Sequence, residues 1–230
     1  MISRLSLIMR AALPAVLMLF VLPAAAQEAP QQERIDRAAQ VFERMVTKED
    51  RAYLQKSLKS AKAIMIFPSV LKAAFIFGAE GGNGVLMARN SDGVWSDPAF
   101  YTIGSGSFGF QAGVQDSEVL LAIMTERGLD AVIANNAKLG VDASIALGPV
   151  GAGIGGATTT NFGGDIAVFT QDVGLYGGLS LEGSVIYERE DQGADYYGSE
   201  EATARTIVLE RKFTNPGADR LKALVAKYTQ

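Results

Sequence analysis

Apolar and polar positions change their period twice along this chain, and the two changes divide it. From Gln32 to Val46 the apolar residues Ile35, Ala38, Ala39, Phe42, Met45 and Val46 recur at helical spacing, giving one apolar face. Thr47, with Asp50 three residues on, reads as the N-cap of a second helix that runs to about Ser60. Past Ala61 the period shortens. Ile64, Ile66, Val85 and Met87 lie in short β-type runs bounded by Gly, Asn and Asp, and Asn90-Ser91-Asp92-Gly93 is a hairpin-turn signal. Further strands are expected at Phe100–Ile103, Phe108–Val114, Val119–Met124, Val141–Leu147, Asp165–Thr170 and Leu175–Tyr187, with Gln171-Asp172-Val173-Gly174 separating the last two. A short helix is expected at Leu129–Ala137. Pro216 opens a final helix, Gly217–Lys227, with Leu221, Leu224 and Val225 inward.

Helices therefore lie at both ends, and strands follow one another through tight turns. This predicts an α+β fold with a mainly antiparallel sheet rather than a parallel βαβ layout. The many glycines within strands predict a curved sheet, curled or partly closed into a barrel. The alternative is an open sheet with helices on one face.

The first residues read as a secretory signal peptide. Arg4 and Arg10 form the basic start, Ala11–Leu22 the apolar centre, and Ala24-Ala25-Ala26 a cleavage site. The apolar run is broken by Pro14 and ends at Pro23, short of the roughly 20 residues a spanning helix needs. The expected organisation is a cleaved segment 1–26, a helical lead-in 27–45 and one domain, 46–230. Cleavage would change the net charge from −4 to −6. An acidic chain of this kind is a poor nucleic-acid binder, because such binding rests on phosphate neutralisation. With no Cys, stability must come from packing and backbone pairing even in an oxidising compartment.

The absence of His excludes Ser-His-Asp and Cys-His catalysis, and with Cys also missing only carboxylates remain as metal ligands. No metal or cofactor is expected. Two segments match a dinucleotide-binding glycine pattern, Gly104–Gly109 and Gly151–Gly156. That chemistry needs a helix to open at the third glycine and receive the pyrophosphate. FQAGVQ and ATTTNFGGD follow instead, and neither has a helical face. The glycines read as bends and close backbone approaches, and Gly151–Gly164 alternatively as a polar loop carrying Thr158, Thr159, Thr160 and Asn161. Of the acids in the strand region, Glu80, Asp92, Asp97, Asp116, Glu118, Asp142, Asp165 and Glu182, turn chemistry accounts for Asp92 and Asp97. Glu80 and Glu182, each beside glycine in apolar surroundings, read as buried, hydrogen-bonded structural acids. A carboxylate-based hydrolase, needing two facing acids, is the remote alternative.

Positive charge is concentrated. Arg51, Lys56, Lys59, Lys62 and Lys72 occur with no acid until Glu80. On the second helix Tyr53, Leu54, Leu58 and Ala61 share one arc, and Arg51, Lys56, Lys59 and Lys62 the opposite one. That is either a solvated basic face or a membrane-surface helix, according to whether the apolar arc touches the sheet or acyl chains. Four or five basic contacts with an anionic surface contribute roughly 4–5 kcal/mol, so electrostatics alone gives weak, salt-sensitive adhesion. Phe75, Phe77, Phe108 and Phe110 are candidates for apolar lipid contact, or else ordinary core.

The order of motifs resembles the SYLF domain family. Ala61, Lys62, Ile64, Ile66, Phe67 and Pro68 match its opening, Gly84–Leu86, Ala88 and Arg89 its second segment, and Trp95, Ser96 and Pro98 its third. Gly109, Gln111 and Gly113 follow, and Tyr197-Gly198 resumes the match. The resemblance covers roughly Val46 to Tyr228 and implies a lipid-binding module, not an enzyme, with membrane contact through the N-terminal helical part. Eukaryotic members recognise phosphoinositides, and some bind actin. For an exported chain the resemblance implies a phospholipid or membrane surface in the periplasm, with actin an improbable partner. A protein partner stays open, as does the alternative of an envelope scaffold.

Overall fold

The computed structural model describes residues 30–48, 52–74, 77–108, 113–134, 137–147, 164–173, 181 and 183–230. Two helices come first, α1 (Pro30–Thr47) and α2 (Ala52–Ser60). Four long strands follow, β1 (Ala63–Ala74), β2 (Phe77–Ala88), β3 (Ala99–Phe108) and β4 (Gly113–Ile123). Then come α3 (Glu126–Ile133), β5 (Ala137–Lys138), β6 (Ile145–Leu147), β7 (Ile166–Val173), β8 (Val185–Glu188), α4 (Glu190–Tyr197) and α5 (Asp219–Thr229).

The strands form one sheet in the order β5-β8-β3-β2-β1-β4-β7-β6. Among the described residues every strand pairing is antiparallel except β6 with β7. The fold is thus α+β, with the sheet curled into a half-barrel. Among the described residues β5 and β6 lie at its two edges.

Strand alternation divides the core between two faces. Ile64, Ile66, Val85, Met87, Phe100, Leu120 and Phe169 face α1, α2 and α5. Met65, Phe67, Leu86, Tyr101, Val119, Leu121 and Val168 face the other way, against Leu129, Val132 and Ile133 of α3 and Ile207 and Val208. Helices therefore cover both faces, not one. The two surfaces are called here the helical face and the α3 face.

The F-P-S break is a bulge. Register shifts between Ile66 and Ser69 against β2, and between Phe67 and Val70 against β4. The bulge brings β1 onto the glycines of β2. A Cβ on Gly84 would lie 2.3 Å from the Ile66 carbonyl oxygen and 2.6 Å from the Phe67 ring, and one on Gly82 would lie 2.3 Å from the Ser69 carbonyl oxygen. Close backbone approach is the use of these glycines. Gly104, opening the first dinucleotide-like match, lies inside β3, which stays extended through Phe108. The second match lies outside the described residues.

Several elements differ from expectation. Thr47 ends α1, and its hydroxyl donates back to the Glu43 carbonyl at 2.7 Å, so it does not cap α2. α3 begins at Glu126 under a Thr125 cap, and Ala137, expected at the end of that helix, opens β5. Val141 and Asp142 belong to a turn in which the Asp142 carboxylate accepts from the Lys138 amide at 2.7 Å, leaving only Ile145–Leu147 as strand. Gln171–Val173 continue β7 rather than breaking it. Of Leu175–Tyr187, residues 175–180 fall outside the described residues and Val185–Glu188 is strand. The last helix opens with a 3-10 turn, Pro216–Ala218, capped by Asn215, whose side-chain oxygen accepts from the Gly217 amide.

Candidate functional site

α2 buries Leu54, Ser57 and Leu58, and Ala61 follows them into the core. Tyr53 packs its ring on Phe169 at 5.8 Å. The apolar arc thus touches the sheet and α5, and the basic arc looks outward, with Lys56, Lys59 and Lys62 all exposed. Arg89 holds the end of this helix. Its guanidinium donates to the Lys59 carbonyl at 2.8 Å and to the Thr229 carbonyl at 3.2 Å, and lies 5.6 Å from the Trp95 ring centre. Trp95 Nε1 in turn donates to Thr229 Oγ1 at 2.9 Å. α2 is therefore fixed to the sheet and to α5 at its C-terminal end, and its lysines project from a rigid support.

The five basic residues singled out from the sequence do not form one patch. Lys56 and Lys59 lie on α2. Lys62 lies just past its end and pairs with Glu126 of α3 at 3.0 Å, which partly neutralises it. Lys72 lies near the far end of β1, with roughly 30 Å of strand between it and Lys62. Arg51 lies outside the described residues.

Two of the four aromatic candidates lie at that far end. Phe77 and Phe108 are partners in the β2–β3 register. Phe75 and Phe110 lie outside the described residues. The basic helix and the aromatic pair thus occupy opposite ends of the sheet. Leu71 and Val114, which the sequence reading passed over, are 51% and 71% exposed at the far end, on the helical face. Among the described residues no helix is long and apolar enough to cross a membrane.

Most of the acids weighed for catalysis serve the fold. Asp165, 4% exposed, accepts from Thr125 Oγ1 at 2.7 Å, from the Ser144 amide at 3.0 Å and hydroxyl at 2.7 Å, and from the Arg127 guanidinium. These donors, Arg127 foremost, hold its carboxyl well below the usual range despite burial. Asp97 is no simple turn residue. It is buried, and accepts from Lys222 Nζ at 2.9 Å and from the Asn215 amide at 3.0 Å, anchoring α5. Asp116 accepts from Ser69 and Glu118 from Arg44. Asn90, not Asp92, organises the turn after β2, accepting from the amides of Asp92 and Val94. Glu182 lies outside the described residues.

Glu80 departs from its expectation. It is buried at 8% exposure, but its Oε1 has no hydrogen-bond partner among the described residues. Burial pushes its carboxyl up, and the positive charge of Lys72 opposes that.

Fold and surface together define an α+β module built on one half-barrel sheet, with basic side chains displayed on a fixed helix edge. The family described as "Ysc84: Las17-binding protein actin regulator" matches residues 104–228. The chain is 34% identical over 167 residues to Protein YSC84 of Saccharomyces cerevisiae, covering 71% of this chain and 35% of that protein. It is 30% identical over 163 residues to SH3 domain-containing YSC84-like protein 1 of Xenopus laevis, covering 70% of this chain and 49% of that protein. LAS seventeen-binding protein 3 of Saccharomyces cerevisiae is 32% identical over 167 residues. The chain belongs to the Ysc84/SYLF family. It spans about a third to a half of the length of these curated relatives.

Proposed function

We propose that this chain is a non-catalytic lipid-binding protein of the cell envelope that meets phospholipid head groups through the basic edge of α2. The observation that carries the reading is that edge itself: Lys56 and Lys59 exposed on a helix that bears no acid and whose apolar arc is already buried. The helix needs no acyl chains to complete its packing, so contact is electrostatic rather than insertive. The signal-peptide pattern of residues 1–26 supports export to the periplasm, where actin would not be met and the partner is a phospholipid or membrane surface.

Lys56 and Lys59 contribute about 2 kcal/mol against an anionic surface, which is weaker than millimolar binding. Adhesion by α2 alone is therefore weak and falls with salt. Co-sedimentation of the mature chain with anionic vesicles at low salt tests the reading. Bound protein that is released by salt, and lost in the Lys56→Glu/Lys59→Glu variant, is the expected result. Protein left in the supernatant with both anionic and zwitterionic vesicles would sink it.

A protein-docking module is the second reading, favoured by the binding partner in the family's description and in the name of one yeast relative and by the exposed Leu71 and Val114. It predicts one stoichiometric partner recovered from envelope extract in detergent.

A further inference from the structure

At the far end of the sheet the α3 face stops being apolar. One row there crosses four neighbouring strands. Lys72 is registered with Gln115 on one side and with Glu80 on the other, and Glu80 is registered with Ser105. Side chains directly opposed across antiparallel strands have their Cβ atoms about 4.5–5.5 Å apart. This row continues the face that holds Phe67 and Val70, both fully buried, so an apolar row is what packing alone would call for.

The row is only partly satisfied from within. Gln115, 6% exposed, donates from Nε2 to Ser117 Oγ at 3.1 Å. Glu80 is more than nine-tenths buried, and Oε1 has no partner among the described residues. Buried carboxylate oxygens normally find donors, and an idle one needs an explanation. An idle acceptor beside a cation, one strand apart, is complementary to a ligand that carries its own cationic donor and its own anion. A hydrogen-bonding ammonium fits Glu80, because Glu offers only acceptors when ionised. A phosphate oxygen fits Lys72, a compact point charge with three donors.

We propose that Lys72 and Glu80 form a subsite for a phosphoethanolamine-type zwitterion, its ammonium donating to Glu80 and its phosphate accepting from Lys72, with Gln115 and Ser105 flanking. This deepens the lipid reading and rests on it. A choline head group, with no N–H to donate, is the discriminating mimic. The same chemistry also occurs in a free phosphate ester, so the test has two arms.

In the first arm the full mature chain is sedimented with phosphatidylethanolamine-containing and with phosphatidylcholine vesicles of matched charge. In the second, glycerophosphoethanolamine is titrated calorimetrically. Binding to the ethanolamine vesicles is expected to be about tenfold tighter, the scale of one hydrogen bond to a charged group. The preference disappears in Glu80→Gln, and Lys72→Gln weakens binding to both vesicles. Glu80→Gln melts no lower than the parent, since it relieves a buried, under-satisfied charge. Equal binding to the two vesicles, or a preference that survives Glu80→Gln, overturns the subsite and leaves surface binding standing. Glycerophosphoethanolamine bound in a Glu80-dependent way without any vesicle binding keeps the subsite for a soluble ester and sinks the lipid reading. No binding in either arm overturns both.

Discussion

Replacing Gly84 by Ala tests whether the F-P-S bulge and the glycines of β2 are one packing unit. The added Cβ would meet the Ile66 carbonyl oxygen at 2.3 Å and the Phe67 ring at 2.6 and 2.9 Å. Neither neighbour has an easy retreat. Ile66 and Phe67 belong to β1, paired on both sides with β2 and β4, and the Phe67 side chain is fully buried among core residues. Relief therefore requires a shift of backbone between the two central strands. Overpacking of this kind costs typically 1–3 kcal/mol, and two blocked contacts put Gly84→Ala near about 3 kcal/mol. For a chain of this size 1 kcal/mol moves the melting temperature by about 2–4 °C, so a fall of roughly 6–12 °C is expected. Thermal unfolding followed by far-UV circular dichroism of the mature chain measures it. Gly106→Ala is the matched control, being also a strand glycine, with nothing within 4 Å of the added Cβ; it should melt within about 2 °C of the parent. If the two variants melt together, the bulge does not rest on Gly84, and the account of the glycine-rich strand is wrong.

Asp165→Asn should cost about 2–3 kcal/mol, because one carboxylate joins the start of β7 to Ser144 and to the cap of α3; denaturant unfolding reads it. The folded carboxyl lies below its unfolded value of about 3.9, so its contribution is complete above roughly pH 4 and fades as the pH falls toward the folded value. The variant should accordingly lose less stability than the parent below pH 4, and parallel acid limbs would contradict the assignment. Thr229→Val removes the acceptor of the buried Trp95 indole and should cost about 1–2 kcal/mol, with faster amide exchange in α5 as its local signature. Doubling the Debye screening, from roughly 0.04 to 0.15 M salt, should release most vesicle-bound protein if α2 is the contact; salt-independent binding would point to the far end of the sheet instead.

The helical ends of the fold were legible because each carries a continuous apolar stripe: Ile35, Ala38, Phe42 and Met45 in α1, Leu221 and Val225 in α5. α4 was not. Its eight residues, Glu190–Tyr197, are largely polar, and Gly193 stands where a helix former would. The structure supplies the reason, since a Cβ on Gly193 would lie 2.4 Å from the Ala202 carbonyl oxygen. The π-helical turn at Arg205–Leu209 has no period that a 3.6-residue template detects. The candidate site was legible only in its local part. Helical periodicity placed Lys56 and Lys59 on an outward arc, but the distance between Lys62 and Lys72 depends on a long strand running away from the helix. The row joining Lys72 to Glu80, Gln115 and Ser105 depends on register among four strands, and a bulge at Pro68 alters which side of β1 faces which neighbour. One slipped residue would move Lys72 to the other face, and nothing local in the sequence sets that register.

The described residues that carry the family resemblance hold the framework, Gly109 and Gln111 lying outside the described residues. Ala61, Ile64, Ile66 and Phe67 are core, and Gly84 makes room for the bulge. Arg89 and Trp95 bind the ends of α2 and α5, and Ser96 accepts from the Ala88 amide. The Pro98 carbonyl accepts from Tyr197, and Gly198 closes α4 at a φ of +70°. Lys62, the one charged motif residue outside this framework, is tied to Glu126. A match to such a motif therefore transmits an architecture: a fixed α2, a bulged β1 and a sheet that curls. What the architecture displays is decided elsewhere, by Lys56 and Lys59 on the helix edge and by the Lys72–Glu80 row at the far end. If lipid is bound as proposed, those few positions set the head group, so exchanging Glu80 and Lys72, rather than any motif residue, is the substitution that should redirect binding while leaving the fold intact.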